Sequence, residues 1–145
     1  MPSEETNAIT RREWRELGFF YELDDIGKRW RIVGSRSGLG RFCDELANFA
    51  ANPKNEQLSE HVHLGPYMYL EIGSWSTPET TDHWIAGPLA SLRYLADVMR
   101  TRIILARATD VLYFRDVYAP GSPYELTLEL RDDDFDPAKE DEACW

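Results

Sequence analysis

Two of the three histidines lie two residues apart and form the pair most able to do chemistry. On a strand, His61 and His63 would point to the same side, because side chains alternate between the two faces. A His-x-His pair can bind zinc, with Glu60 or Asp82 as further ligands and His83 nearby. Ligands at such uncertain spacing form a poor zinc signature, and histidines bonded to loop backbone are the ordinary alternative. We predict no metal ligand and treat the three histidines as a candidate polar site.

A glycine-rich turn, Gly34-Ser-Arg-Ser-Gly-Leu-Gly40, follows a predicted strand and opens a predicted helix. Backbone N–H groups at a helix start can bind anions, so Ser35 and Arg36 join the candidate polar site. The turn lacks the lysine and Ser/Thr of a P-loop, and its spacing is not that of a dinucleotide-binding loop. We interpret it as a tight strand-to-helix turn with Ser37 as the N-cap.

No nucleophile has the setting that covalent catalysis needs. Cys43 falls on the apolar stripe of a predicted helix, where a buried and unreactive thiol is expected. No serine lies in a G-x-S-x-G turn. The carboxylate clusters at 24–25 and 132–134 lie in a predicted turn and a predicted tail, where solvated charge is the default. We expect no catalytic residue and no cofactor; the alternative is a small metal-dependent or acid–base enzyme using the His61/His63 region.

Four aromatic residues, Tyr67, Tyr69, Trp75 and Trp84, lie in and beside one long predicted loop. Tyrosine and tryptophan dominate the binding energy of protein interfaces, so we predict that these four contact a partner. The same side chains could instead cover the open face of a sheet or close the edge of the core. The sequence leaves both interpretations open.

The elements that must position these residues follow from hydrophobic periodicity and turn signals. Thr10 and Glu13 have capping-box spacing, which predicts a short helical turn over 11–16. Two longer helices are predicted, from Ser37 to about Ala51 and from Pro88 to between Arg107 and Thr109. Strands are predicted over 17–23, 30–33, 67–72, 111–118 and 124–130, with the first two forming a hairpin and 73–87 forming a loop.

The two longer helices each have an apolar stripe that must be buried. The stripes consist of Leu39, Phe42, Cys43, Leu46, Phe49 and Ala50, and of Leu89, Leu92, Leu95, Ala96, Met99 and Ile103. A single layer of strands can bury both stripes on one face. We therefore predict a two-layer α+β domain over 1–131, with a mixed or mostly antiparallel five-stranded sheet (ββαβαββ) and both helices on one face.

The charge is negative and unevenly distributed. Residues 132–145 hold seven acidic residues and one lysine, and therefore −6 of the net charge of −10. This predicts a solvated, disordered tail. The acidity argues against nucleic-acid binding, which needs a basic face. The absence of a long apolar run argues against a membrane span, and the N-terminal residues and the two scattered cysteines indicate a reduced, cytoplasmic setting.

Gly34-Ser35-x-x-Gly38-Leu39, a helix, His61-x-His63-Leu64 and the strand Leu70-Glu71-Ile72 follow one another within residues 32–72. This stretch, under a third of the chain, resembles the immunity protein 32 group among the predicted immunity proteins of bacterial polymorphic toxin systems. The resemblance implies an α+β protein that binds and neutralises a toxin in the cytoplasm and has no catalytic activity of its own.

Together these features predict a non-catalytic protein-binding module. Its partner would be a basic protein, such as a toxin, attracted by the acidic surface. The protein would be a monomer, or a homodimer paired through an exposed edge of the 124–130 strand. A deep pocket in which His61 and His63 meet a carboxylate or a metal ion would contradict this interpretation.

Overall fold

The computed structural model describes residues 2–145, which form five α-helices and eight β-strands. The helices are α1 (Glu4–Leu17), α2 (Arg36–Ala51), α3 (Leu89–Leu105), α4 (Arg115–Tyr118) and α5 (Pro137–Glu140). The strands are β1 (Phe20–Asp24), β2 (Arg29–Ser35), β3 (His61–Leu64), β4 (Leu70–Ser74), β5 (Glu79–Thr80), β6 (Trp84–Gly87), β7 (Val111–Tyr113) and β8 (Glu125–Arg131).

The strands form two four-stranded mixed sheets. Sheet A has the order β1-β2-β8-β7, and sheet B has the order β3-β4-β6-β5. In each sheet the two central strands are parallel and each pairs with an antiparallel outer strand. The predicted α+β class is confirmed, but the predicted single five-stranded sheet is wrong. The difference arises because 61–64 and part of the predicted 73–87 loop form strands of their own.

The chain builds sheet A from its two ends and sheet B from its middle. The predicted hairpin over 17–33 is present as β1 and β2, and the return to sheet A comes through β7 and β8. Helix α2 leads into sheet B and α3 leads out of it. One continuous cluster of buried apolar side chains joins both sheets and the helices, so the two sheets belong to a single core.

Helices α2 and α3 pack against each other, and their predicted apolar stripes are buried except for Leu89, which is partly buried. The N-cap of α2 is Ser35, whose Oγ accepts a hydrogen bond from Gly38 N at 3.1 Å, and not Ser37 as predicted. Helix α3 starts directly after Pro88 and ends at Leu105, slightly before the predicted end.

The N-terminal helix is much longer than the predicted turn over 11–16. Ser3 caps α1 by accepting from Thr6 N, and Gly18 ends it in the left-handed region at φ 90°. Trp14, the one buried residue of α1, is 1% exposed.

The predicted strand over 111–118 divides into β7 and α4. The 124–130 strand is present as β8, but it lies between β2 and β7, and its residues 126–130 are all buried. An exposed edge for dimerisation at this strand is therefore wrong, because β8 has a partner on both sides.

The acidic C-terminal segment is ordered, in contrast to the predicted disordered tail. Asp136 and Asp141 each accept a backbone hydrogen bond at the start of a short helical turn, at Ala138 N and Ala143 N. Ala138 and Cys144 are buried, and α1 contacts both α5 and the 142–144 turn. Across residues 2–145, no helix combines the length and the apolar character that crossing a bilayer requires.

Candidate functional site

One face of sheet B is open and brings the predicted histidine pair to a carboxylate. Residue pairing places His63 opposite Glu71, and Glu71 opposite Trp84, so all three lie on the face that also bears His61. The other face of sheet B is apolar and belongs to the core. The alternation predicted from the His-x-His spacing is confirmed, because β3 exposes both rings on the same side.

The three polar side chains converge around one carboxylate oxygen. The Nε2 atoms of His63 and His61 lie 3.2 and 3.8 Å from Glu71 Oε1. The ligand-type atoms of the three residues all lie within 4.8 Å of one another. Both histidine side chains are 40% exposed, whereas the Glu71 side chain is 16% exposed. The cluster therefore lies on an open surface and not in the deep pocket that would contradict a binding role.

The outer nitrogen of each histidine ring is held by backbone. His61 Nδ1 lies 3.0 Å from Ser59 O, and His63 Nδ1 lies 3.2 Å from Met68 O. A carbonyl oxygen only accepts, so each Nδ1 is the protonated, donating atom. Ser59 and Met68 both have left-handed backbone conformations, at φ 74° and φ 62°, which non-glycine residues rarely adopt. The two loops thus orient the rings with Nε2 towards Glu71.

Two tryptophans border the histidine cluster. The Trp84 ring lies edge-on to His61 at 5.3 Å and tilted against Trp75 at 5.3 Å. The Trp84 ring lies over Gly73, where a Cβ atom would come within 2.2 Å of Cζ3. Glycine at this position therefore allows the indole to lie flat on the sheet beside His61.

The other two predicted aromatics lie elsewhere, in a groove where the two sheets meet. Tyr67 and Tyr69 stack on each other with ring centroids 5.5 Å apart. The sheets are tied together here by two hydrogen bonds, from Tyr21 Oη to Leu64 O and from Trp30 Nε1 to Thr81 O at 2.6 Å. The groove has a volume of about 420 Å³, and its lining is Trp14, Phe20, Tyr21, Glu22, Leu23, Trp30, Tyr67, Tyr69, Asp82, His83 and Asp141. We call it the aromatic groove.

Asp141 holds one wall of the aromatic groove in place. Its Oδ2 accepts hydrogen bonds from Trp14 Nε1 at 2.9 Å and from Tyr67 Oη. Burial, together with the hydrogen bond and negative charge of Asp141, raises the pKa of Tyr67 above its usual range. Burial likewise raises the pKa of Tyr21 to about 12. Both hydroxyls therefore stay protonated at neutral pH and act as donors.

The remaining predicted site residues have structural positions. Ser35 caps α2, and Arg36 donates to the carbonyl oxygens of Ile103 and Ala106 at the end of α3. Cys43 is fully buried, and burial raises the pKa of its thiol to about 12, as expected for an unreactive cysteine. His83 lines the aromatic groove beside Asp82 and does not join the metal-type cluster.

The sequence interpretation missed Glu71, Trp30 and Asp141 as site residues. Glu71 lies in the predicted strand over 67–72, but only the β3–β4 pairing places it opposite His63. Asp141 was assigned to a solvated tail. Glu60 and Asp82, the predicted further ligands, do not belong to the cluster around Glu71.

Compared with protein-family models, with curated proteins and with solved structures, the chain gives no match. The resemblance of residues 32–72 to immunity protein 32 therefore stays a prediction.

Proposed function

We propose that the protein is a non-catalytic binding module that accepts a basic segment of a partner protein in the aromatic groove. The observation that supports this is the stacked Tyr67–Tyr69 pair beside carboxylates at the junction of the two sheets. The proposal assigns the groove to binding and places no catalytic step there.

The groove exposes neighbouring aromatic side chains to solvent, and a contiguous exposed apolar surface often marks a binding site. The exposed fractions of Tyr67 and Tyr69 are 39% and 64%. Aromatic side chains on a preorganised surface are the usual centres of binding energy at protein interfaces. Of the four predicted partner-binding aromatics, we therefore assign the role to Tyr67 and Tyr69, whereas Trp75 and Trp84 pack together on the other site.

The rim of the groove favours a cationic ligand. Glu22 is paired with Arg31, and Asp141 is engaged by Trp14 and Tyr67. Within residues 2–145, Asp82 forms no salt bridge to an arginine or lysine; it lies 3.7 Å from the His83 ring and has Lys28 as a more distant cation. An arginine side chain can stack on a tyrosine ring and reach a carboxylate at the same time. The tyrosine pair and Asp82 would thus form complementary contacts to one arginine.

A second concavity of about 480 Å³ extends the acidic surface along α1. Its lining includes four carboxylates, those of Glu13, Glu16, Asp44 and Glu45. The other lining residues are Leu17, Arg41 and Gly65. Of the described residues, Arg41 is the one cation of the lining, and Asp44 is paired with Arg100, so carboxylates remain in excess. With a net charge of −10, this surface would attract a basic partner over a distance and speed association more than it raises affinity.

The direct test is titration with a short arginine-rich peptide and an acidic peptide of equal length, followed by intrinsic tryptophan fluorescence. The arginine-rich peptide should bind and should bind more weakly as salt is added. Tyr69→Ala should weaken binding at least about tenfold, as expected for an aromatic interface centre. Tyr94→Ala is the matched control, because Tyr94 is a similarly exposed tyrosine on α3.

Equal affinity of Tyr69→Ala and the wild type for the arginine-rich peptide would contradict the groove as the binding surface. If the double variant Trp75→Ala/Trp84→Ala bound the arginine-rich peptide more weakly and Tyr69→Ala did not, the binding surface would lie on sheet B instead of in the aromatic groove. None of these substitutions changes the net charge, so every variant keeps the general attraction of an acidic protein for a basic peptide. A difference in affinity between them therefore reports binding at a specific site.

The resemblance over residues 32–72 makes a bacterial toxin the partner class to test first. The experiment is co-expression with the product of the adjacent gene in the genome of origin. Wild-type protein should relieve growth arrest and Tyr69→Ala should not. Equal relief by both would show that neutralisation does not use the aromatic groove.

A further inference from the structure

We propose that His61, His63 and Glu71 bind a divalent first-row transition-metal ion, with zinc as the best-suited ion. This site lies on the open face of sheet B and shares no residue with the aromatic groove. The proposal is therefore independent of the proposed partner binding.

The separations between the three side chains suit a small coordination sphere. Zinc bonds to imidazole nitrogen and carboxylate oxygen of about 2.0–2.2 Å place two tetrahedral ligands about 3.4 Å apart. The observed distances from Glu71 Oε1 to the Nε2 atoms of His63 and His61, 3.2 and 3.8 Å, lie on either side of that value. The separation of the two histidine ligand atoms is at most 4.8 Å, so the exposed rings would have to rotate to bring both nitrogens to the spacing of a tetrahedral site.

Because the two Nδ1 atoms donate to backbone carbonyls, the two Nε2 atoms are free to bind a cation beside Glu71. Ser59 O and Met68 O hold the Nδ1–H groups, so in the neutral rings both Nε2 lone pairs point towards the Glu71 carboxylate. Three electron-pair donors then face one another with no hydrogen between them, which is repulsive. A metal ion removes the repulsion, as a proton on one Nε2 also would, but the backbone carbonyl on the far nitrogen of each ring is the usual outer partner of a metal-binding histidine.

The ligand types select the class of ion. Two imidazoles and one carboxylate suit zinc and its neighbours, whereas calcium and magnesium require oxygen ligands. Cys43 and Cys144 are both buried and belong to other parts of the core, so no thiolate completes the set. Three protein ligands leave at least one position for water or for a group from a bound molecule.

The surroundings of the cluster restrain His61 but leave the ion a route from solvent. Trp84 covers Gly73, the residue paired with His61, and packs edge-on against the His61 ring. Each histidine side chain is 40% exposed. A metal can therefore bind without opening the fold.

The test is isothermal titration of untagged, EDTA-treated full-length protein with zinc chloride. We expect one ion per chain. His63→Ala and Glu71→Gln should each weaken binding at least about tenfold, because each removes a direct ligand. His83→Ala is the matched control: it removes an exposed histidine outside the cluster and should leave the affinity unchanged.

Cobalt(II) provides a second measurement, because its absorption spectrum depends on which side chains bind the ion. Cobalt(II) bound to two imidazoles and a carboxylate should give visible absorption bands in the wild type, and these bands should disappear in His61→Ala. Circular dichroism of each variant establishes that it is folded.

Absence of zinc binding, or affinity unaltered by both His63→Ala and Glu71→Gln, would overturn the metal site. Peptide binding by His61→Ala should remain at the wild-type level, because the His61 ring bonds to Ser59 O and not to the loop that carries Tyr67 and Tyr69. Failure of the metal proposal and failure of the groove proposal therefore give different results.

Discussion

Replacing Asp141 with alanine should destabilise the whole fold, although Asp141 lies only four residues before Trp145, in a segment dense with negative charge. Its carboxylate accepts hydrogen bonds from the 1%-exposed Trp14, from Tyr67 and from Ala143 N. These bonds tie the C-terminal segment to α1 and to one wall of the aromatic groove.

The magnitude follows from the environment of each donor. The indole N–H of Trp14 would stay buried without an acceptor, at a cost of about 1–3 kcal/mol. Loss of the cap on the 142–144 turn adds about 0.5–1 kcal/mol. The Tyr67 hydroxyl is at a partly exposed residue and can turn to water, so it adds little. We expect the free energy of unfolding to fall by about 2–4 kcal/mol in Asp141→Ala. Asp141→Asn keeps one acceptor oxygen and should lose about half as much.

Urea unfolding followed by tryptophan fluorescence measures this directly, with the m-value expected to stay constant. Glu142→Ala is the matched control, because it removes an exposed neighbouring carboxylate and should change stability by less than about 0.5 kcal/mol. If Asp141→Ala also changed stability by less than about 0.5 kcal/mol, the C-terminal segment would not be docked, and the disordered tail expected from its charge would be correct.

Two further predictions concern the framework. Gly38→Ala should destabilise the protein by about 1–3 kcal/mol, because the added Cβ would lie 2.2 Å from Gly18 O. Gly40→Ala has open space around the added Cβ and should stabilise α2 by about 0.5–1 kcal/mol. Equal shifts of the melting temperature in the two variants would contradict the close approach of Gly38 to Gly18. Glu129→Gln should cost about 1.5–3 kcal/mol at pH 7, because Arg31 is left with the more exposed Glu22 as its charged partner. Burial acts to raise the pKa of Glu129, but Arg31 and Arg131 outweigh it and hold the pKa below its ordinary value of 4.5. The stabilisation by Glu129 is therefore present above that value and lost as the pH falls through the lower folded-state pKa, so wild type and Glu129→Gln should converge in acid; a constant difference in unfolding free energy across the acid range would contradict the assignment.

The parts of the fold that the sequence predicted are those where burial imposes a clear period. The stripes of α2 and α3 repeat at helical spacing, and Asp24 to Lys28 separates two apolar runs, so both helices and the first hairpin follow from local pattern. In sheet B only β4 overlaps a predicted strand, the one over 67–72. Strand β5 has two residues, and β3 contains two exposed histidines, so each becomes a strand only because a neighbouring strand pairs with it.

The C-terminal segment shows how charge can conceal a docked element. Its seven carboxylates suggest solvation, yet Asp136 and Asp141 are used as helix caps and Ala138 and Cys144 enter the core. The acidic residues that face water outnumber these contacts, so composition alone gives the wrong expectation.

For the candidate sites, the sequence predicted which side chains share a face of one strand, but not which strands lie next to each other. The alternation of β3 placed His61 and His63 on one side, which is correct. Their meeting with Glu71 depends on the register between β3 and β4, and the position of Tyr67 and Tyr69 depends on how sheet A meets sheet B. Neither relation is encoded in local spacing.

The most direct test of the aromatic groove uses the indole N–H signals of the five tryptophans. Trp14 and Trp30 line the groove, whereas Trp75 and Trp84 lie beside the histidine cluster. In a ¹H–¹⁵N titration with the arginine-rich peptide, the account predicts that the Trp14 and Trp30 signals shift with increasing peptide and that those of Trp75 and Trp84 stay in place. Shifts confined to Trp75 and Trp84, or no shift at any indole, would contradict it.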